Sequence, residues 1–257
     1  MKDEIAGVIF DLDGVLEFQG KAYPGAVELL VSLRRRRVPI RVLSNSTLKS
    51  RRACTGKLNQ KGFNVYEHEV VTASFATARY LETLNPRSCW VLLKEEGMEE
   101  FRNFRHDLNN PEYLVLGDLR EDFNFQTLNK AIQLLYKGAK LIVMITETVD
   151  SSLGEMELTV GAYGKMLEDT AGIEATYIGK PNHYIFDITL ETLRNIDRSQ
   201  ILMVGDKIGT DILGAKNASL KTALVKTGEF RESDLESPVV VPDYIFDSVR
   251  DVEKLFP

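Results

Sequence analysis

The 257-residue chain lacks any run near the roughly eighteen apolar residues of a membrane span, so no membrane partner is expected. It has only two cysteines, Cys54 and Cys89, too few for a disulfide framework or a structural zinc site. Its three histidines, His68, His106 and His183, do not cluster at metal-ligand spacing. It also lacks a basic excess. Lys and Arg number 32 against 38 Asp and Glu, giving a net charge of −6. Nucleic acid and anionic surfaces both need a basic face, so neither is expected as a partner. The opening M-K-D-E-I-A-G-V-I-F does not read as a signal peptide, because its apolar stretch is short and acids precede it. With few cysteines and no such signal, the expected location is cytoplasmic. Internal repeats and low-complexity linkers are absent as well.

What is present is ordinary for a globular protein: 44% hydrophobic and 27% charged residues. The length suits one large domain or two smaller ones. Short apolar runs predict strands near 5–10, 39–44, 89–93, 113–116, 140–145, 201–205, 221–225 and 243–246. Amphipathic patterns predict helices near 25–36, 49–61, 74–84, 125–137, 163–171, 183–194 and 210–217. This alternation implies an α/β class with a Rossmann-like, doubly wound and mainly parallel sheet. The middle carries its own strands and helices. The predicted division is therefore a core of residues 1–72 and 178–257 with an inserted α/β domain over 73–177.

The most informative stretch is V-I-F-D-L-D-G-V-L at residues 8–16. Asp11 and Asp13 follow an apolar strand, and two acids there are costly without a cation between them. Mg²⁺, which prefers oxygen ligands, is the natural candidate. One acid could act as nucleophile while the other moves protons. Three further segments place polar residues at strand ends, where open α/β sheets bind ligands. These are Ser44 and Asn45 in R-V-L-S-N-S-T, Lys180 in G-K-P, and Asp206 and Asp211 in V-G-D-K-I-G-T-D. Carboxylates, hydrogen-bond donors and a lysine together meet the needs of phosphoryl transfer.

These four segments resemble, in order, the four motifs of the haloacid dehalogenase superfamily of phosphohydrolases. The long insertion, the run G-K-P-N-H-Y-I-F and the tail A-L-V-K-T-G-E-F at 223–230 resemble its 4-nitrophenylphosphatase-like branch, which has a class II cap. The resemblance implies a Mg²⁺-dependent phosphomonoester hydrolase working through an aspartyl phosphate. Its substrate would be a small phosphorylated metabolite of sugar-phosphate, nucleotide or phosphoglycolate type. Asp11 would be the nucleophile and a metal ligand. Asp13 would be the acid and base, its carbonyl a metal ligand. Ser44 and the amide of Asn45 would hold phosphoryl oxygens, Lys180 would neutralise charge, Asp206 would ligate Mg²⁺, and Asp211 would orient the metal site or Lys180. Two departures stand out: Lys207, where many relatives carry a second acid, and I-T-E-T-V-D-S-S-L-G in the insertion. The stretch Thr146–Leu153 is therefore expected to meet the leaving group and set specificity.

Other readings compete. A phosphotransferase would share the aspartyl phosphate but exclude water, and a catalytically idle phosphate-binding protein would keep the pocket alone. A dehalogenase fits less well with Asp13 and Asp206 present. Self-association into a homo-oligomer is left open. Ser44–Thr47 could cap a helix before Leu48. Arg34–Arg37 read as a solvated helix end. G-A-Y-G-K-M at 161–166 reads as a turn leading into a helix, not a phosphate loop.

Overall fold

The computed structural model describes residues 5–150, 155–236 and 238–256. The chain forms two compact units. One comprises Met1–Ser44, Cys54–Val71 and Phe186–Pro257, and the other Asn45–Ala53 and Thr72–Ile185. Among the described residues no helix is long and apolar enough to cross a membrane.

The first unit is built on a six-stranded sheet. Its spatial order is Tyr244–Phe246, Lys221–Val225, Ile201–Gly205, Gly7–Asp11, Ile40–Ser44, Val70–Thr72. The first strand of the chain thus lies inside the sheet. The next two strands go to one side and the last three to the other, and the strands flanking Gly7–Asp11 pair with it in parallel. This reversal of direction is the topological switch point at which α/β sheets open a crevice beyond their carboxyl ends. Gly7–Asp11, Ile40–Ser44 and Ile201–Gly205 are buried throughout, which is why they read as unbroken apolar runs rather than alternating ones.

The exception is Arg41, only 8% exposed. Its guanidinium donates to Thr192 Oγ1 at 2.6 Å, the Thr192 carbonyl at 2.9 Å and the Ile40 carbonyl at 2.7 Å. Burial lowers its pKa, partly offset by the field of Glu69. Helix Ala26–Arg35 buries Ala26, Leu29, Leu30 and Leu33, one face at helical spacing. Its arginine-rich end is not wholly solvated. Arg35, Arg36 and Arg37 are exposed, but Arg34 turns inward to Glu69 in a bidentate pair at 3.0 and 2.5 Å. Planar guanidinium and carboxylate match in that geometry.

The second unit holds a four-stranded parallel sheet in the order Thr176–Tyr177, Lys140–Val143, Tyr113–Leu116, Cys89–Leu92. Asn45–Ala53 group with this unit through specific bonds. Ser50 Oγ donates to Glu99 at 3.0 Å, the Arg51 amide to Glu100 at 2.7 Å, and Ser74 Oγ to the Lys49 carbonyl at 2.8 Å.

The segment 161–166 is not a turn. It lies within helix Val160–Ala171. Its glycines mark close packing instead: a Cβ at Gly161 would run into the Thr146 and Glu147 carbonyls, and one at Gly164 would lie 2.8 Å from Val143 Cγ1. Tyr163 in this segment stacks on Phe123 with ring centroids 3.8 Å apart.

Candidate active site

Asp11 is the last residue of its strand and is 7% exposed. In the parallel register it pairs with Leu43, so Ser44, 1% exposed, ends the adjacent strand one residue further on. On the other side Phe10 pairs with Val204, and Asp206 follows that strand directly. The alignment of strand ends therefore brings Asp11 and Asp206 to one edge. Asp211 reaches the same place by a different route. It sits in the wide turn Ile208–Ile212, and its carboxylate accepts from the Lys207 amide at 3.1 Å. A Cβ at Gly205 would fall on the Asp211 side chain, so the missing side chain makes room for this acid.

One oxygen from each of Asp11, Asp206 and Asp211 lies within 4.8 Å of the others. Asp206 is 1% exposed and Asp211 fully buried. Three carboxylates packed this closely away from water repel one another strongly unless a cation shares them. Oxygen-only donors suit a hard divalent ion such as Mg²⁺, so the residues fit the expected metal. The group does not include the Asp13 carboxylate. The strand stops at Asp11, the chain turns around the Leu12 carbonyl, and Asp13 is exposed.

Asp206 is walled by two glycines. Gly14 has φ +92° and Gly228 φ +64°, and a Cβ on either would strike the Asp206 carboxylate. The Glu229 amide donates to Asp206 Oδ2 at 2.8 Å. Thr227 Oγ1 donates to the Gly14 carbonyl at 2.6 Å, and the Gly228 amide donates to Tyr23 Oη at 3.0 Å. The T-G-E-F run, visible in the sequence without a role, thus holds a site acid in place. Lys207 Nζ meets Glu229 Oε1 at 2.8 Å, so its charge lies against a carboxylate.

A matched pair of substitutions tests the glycine wall. Gly20 shares a positive φ of +80° but has nothing within 4 Å of a Cβ. Gly20→Ala should cost only the backbone penalty, about 1 kcal/mol. Gly14→Ala adds the collision with Asp206 and should cost roughly 3 kcal/mol or more in urea unfolding. Equal costs for the two would show that Asp206 yields freely.

In the second unit, Asn45 and Lys180 come together. Asn45 Oδ1 accepts from the Lys180 amide at 2.8 Å, and Asn45 Nδ2 donates to the Lys180 carbonyl at 3.2 Å and to Glu147 Oε2 at 2.8 Å. Lys180 is 3% exposed. The helix after this segment starts at Arg51 with Ser50 accepting from the Ala53 amide at 3.1 Å, so Ser44–Thr47 are not needed as its cap. Glu147 lies in the stretch expected to meet the leaving group; its bond to Asn45, 102 residues away, has no local signal. Of the stretch Thr146–Leu153, residues 151–153 lie outside the described residues.

The family model for haloacid dehalogenase-like hydrolases matches residues 8–105, and a HAD-hydrolase-like model matches residues 177–252. The phospholysine phosphohistidine inorganic pyrophosphate phosphatase of Homo sapiens is 32% identical over 98% of this chain and 94% of its own length. Haloacid dehalogenase-like hydrolase domain-containing protein 2 of Homo sapiens is 31% identical over 94% of this chain and 91% of its own. Among solved structures, a p-nitrophenyl phosphatase from Archaeoglobus fulgidus superposes with a TM-score of 0.90 at 28% identity, covering 98% of this chain and 99% of that one. NagD from E. coli K-12 gives 0.87 at 26% identity, covering 96% and 98%.

Proposed function

This chain belongs to the haloacid dehalogenase-like hydrolases and is a phosphatase, and from that premise we propose that it is a Mg²⁺-dependent phosphomonoester hydrolase acting through an aspartyl phosphate. The observation that carries the reading is the buried group of Asp11, Asp206 and Asp211 at the switch point of the sheet.

Asp11, Asp206 and the Asp13 carbonyl would hold Mg²⁺, with Asp211 steadying the set. Bound there, the ion supplies positive charge against the phosphoryl oxygens. The remaining chemistry belongs to the chain. A carboxylate oxygen of Asp11 attacks phosphorus as the bond to the leaving oxygen breaks, giving the aspartyl phosphate. Asp13 gives its proton to the leaving oxygen. It then takes a proton from the water that attacks phosphorus, which frees inorganic phosphate and restores Asp11. The exposure of Asp13 suits a group that must trade protons with solvent. Ser44, the Asn45 amide and Lys180 are assigned the phosphoryl oxygens, Lys180 as the neutralising charge. Burial of Lys180 supports that role, since a charge kept from water acts with little screening.

The leaving group is proposed to be a small metabolite, with residues 73–177 forming the cap that sets preference among substrates. The names of the relatives widen the panel to be tested to pyrophosphate and to phosphoramidates such as phospholysine and phosphohistidine. A cytoplasmic location fits the two buried cysteines, neither of them in a disulfide, of which Cys89 is pushed up to about 11 by burial.

Release of phosphate from 4-nitrophenyl phosphate, with and without Mg²⁺, tests the reading first. Asp13→Asn should lower kcat by about 10²–10⁴-fold, most for substrates with poor leaving groups. A loss equal for good and poor leaving groups would deny Asp13 the acid role. A protein that binds phosphate but turns nothing over would favour the idle alternative, and transfer to an acceptor other than water would favour a phosphotransferase.

A further inference from the structure

The Lys180 turn is braced from one short segment of the second unit. Asn45 grips the Lys180 backbone at both its amide and its carbonyl, and its remaining amide hydrogen goes to Glu147 Oε2 at 2.8 Å. Glu147 is itself fixed. Its carbonyl accepts from the Gly161 amide at 3.1 Å and from the Thr159 hydroxyl. Gly161 lies so close that a Cβ would collide with that carbonyl. The next residue back, Thr146, accepts through Oγ1 from Asn182 Nδ2 at 3.1 Å, and Asn182 also donates to the Gly179 carbonyl at 2.7 Å. The Gly179 amide bonds to the Met144 carbonyl at 2.8 Å, and a Cβ on Gly179 would lie 2.8 Å from Asn45 Oδ1. The run Gly179–Asn182 is therefore held by bonds at Gly179, Lys180 and Asn182, with Thr146 anchoring it directly and Glu147 through Asn45.

We propose that Glu147 is a positioning residue for Lys180, acting through Asn45, and that Thr146–Glu147 is a brace for the catalytic turn rather than part of a leaving-group loop. The inference rests on the assignment of Lys180 to the phosphoryl group. A carboxylate accepting from an amide makes a charge-assisted bond, stronger than a neutral pair. It fixes the Asn45 side chain, and hence the Lys180 backbone, in one orientation. A misplacement of about 1 Å in such a group can cost about 10²-fold in rate. Because Lys180 is assigned to the phosphoryl group and not to the rest of the substrate, the loss should be common to all substrates.

The test compares Glu147→Ala, Glu147→Gln and Lys180→Met in the full chain. The substrates are 4-nitrophenyl phosphate and two phosphomonoesters with poorer leaving groups. Glu147→Ala should lower kcat about 10- to 100-fold by the same factor for each substrate, with KM changed less. Glu147→Gln keeps an acceptor for Asn45 Nδ2 and should stay within about threefold of wild type. A second readout is free of catalysis: hydrogen exchange in the peptide covering residues 178–185, without Mg²⁺. The Lys180 amide should exchange at least tenfold faster in Glu147→Ala and at the wild-type rate in Glu147→Gln. Unchanged exchange and kcat in Glu147→Ala would overturn the proposal. A loss confined to one substrate would also overturn it, by making Glu147 a specificity residue. So would a Gln variant as damaged as Ala. If Glu147→Ala does not fold, the same two readouts on Glu147→Asp, which draws the acceptor back from Asn45 Nδ2 and leaves both Asn45–Lys180 bonds in place, decide in the same way. A fully active Lys180→Met would instead sink the assignment of Lys180, leaving the exchange result to judge the brace by itself.

Discussion

In Asp11→Asn protein, hydrolysis of 4-nitrophenyl phosphate is expected to fall roughly 10⁴-fold or more, and no acid-labile phosphoenzyme should form. The amide has nearly the shape of the carboxylate, so the change removes the nucleophilic oxygen and one negative charge but little volume. The same substitution should raise stability in the metal-free protein. Asp11, Asp206 and Asp211 place oxygens within 4.8 Å of one another. At an effective dielectric of about 20, each such pair of charges costs roughly 3–4 kcal/mol, so relief of the Asp11 charge should be worth several kcal/mol. An inactive, more stable variant is the signature of strain kept for function. Steady turnover above roughly one hundredth of wild type would count against Asp11 as the nucleophile. An unstable Asp11→Asn variant would mean that the acid is held by contacts and not opposed by its neighbours.

The second large effect concerns the metal. Chelator should abolish turnover, and added Mg²⁺ should restore it. Binding to the folded state alone stabilises by about 2.7 kcal/mol when the free ion is a hundred times its Kd. For a chain of this length that corresponds to a rise in Tm of roughly 5–10 °C. Asp206→Asn should lose most of both responses while folding normally, because an amide oxygen can still accept from the Glu229 amide that now meets Asp206 Oδ2 at 2.8 Å. An unaltered Tm across a Mg²⁺ titration, together with full activity in excess chelator, would remove the metal from the mechanism. A Tm response retained in Asp206→Asn would point to a different binding place.

Much of this was legible along the chain. The strands that end in Asp11 and Ser44, and the one that Asp206 follows, are continuous apolar runs with a polar residue at the carboxyl end. That pattern survives because both faces of each strand are buried. Strands Val70–Thr72 and Thr176–Tyr177 were not expected, since three and two residues carry no periodicity to read. The segment 161–166 looked like a turn because glycine usually marks one. Here Gly161 and Gly164 lie in a helix that packs hard against neighbouring backbone and Val143. Arg34 looked solvated because nothing near it in sequence signals Glu69, 35 residues on. Asp211 read as the start of a helix. It does lie in the turn that runs into helix Leu213–Asn217, and its carboxylate accepts from the Lys207 amide beside the gap left by Gly205, which no sequence pattern signals.

The sequence by itself determined the α/β class, the order of strands and helices along the chain, and the identity of the acids at the strand ends. These follow from local hydrophobic pattern and from the polar residues that interrupt it. Only the tertiary structure decided which strands lie side by side, and so that Asp206 reaches Asp11 across most of the chain. It also decided that Asn45 grips Lys180 from 135 residues away, and that Glu147 holds Asn45. Parallel pairing and side-chain bonds of this kind join distant segments, and their energy appears only once the chain has closed. No local propensity records them.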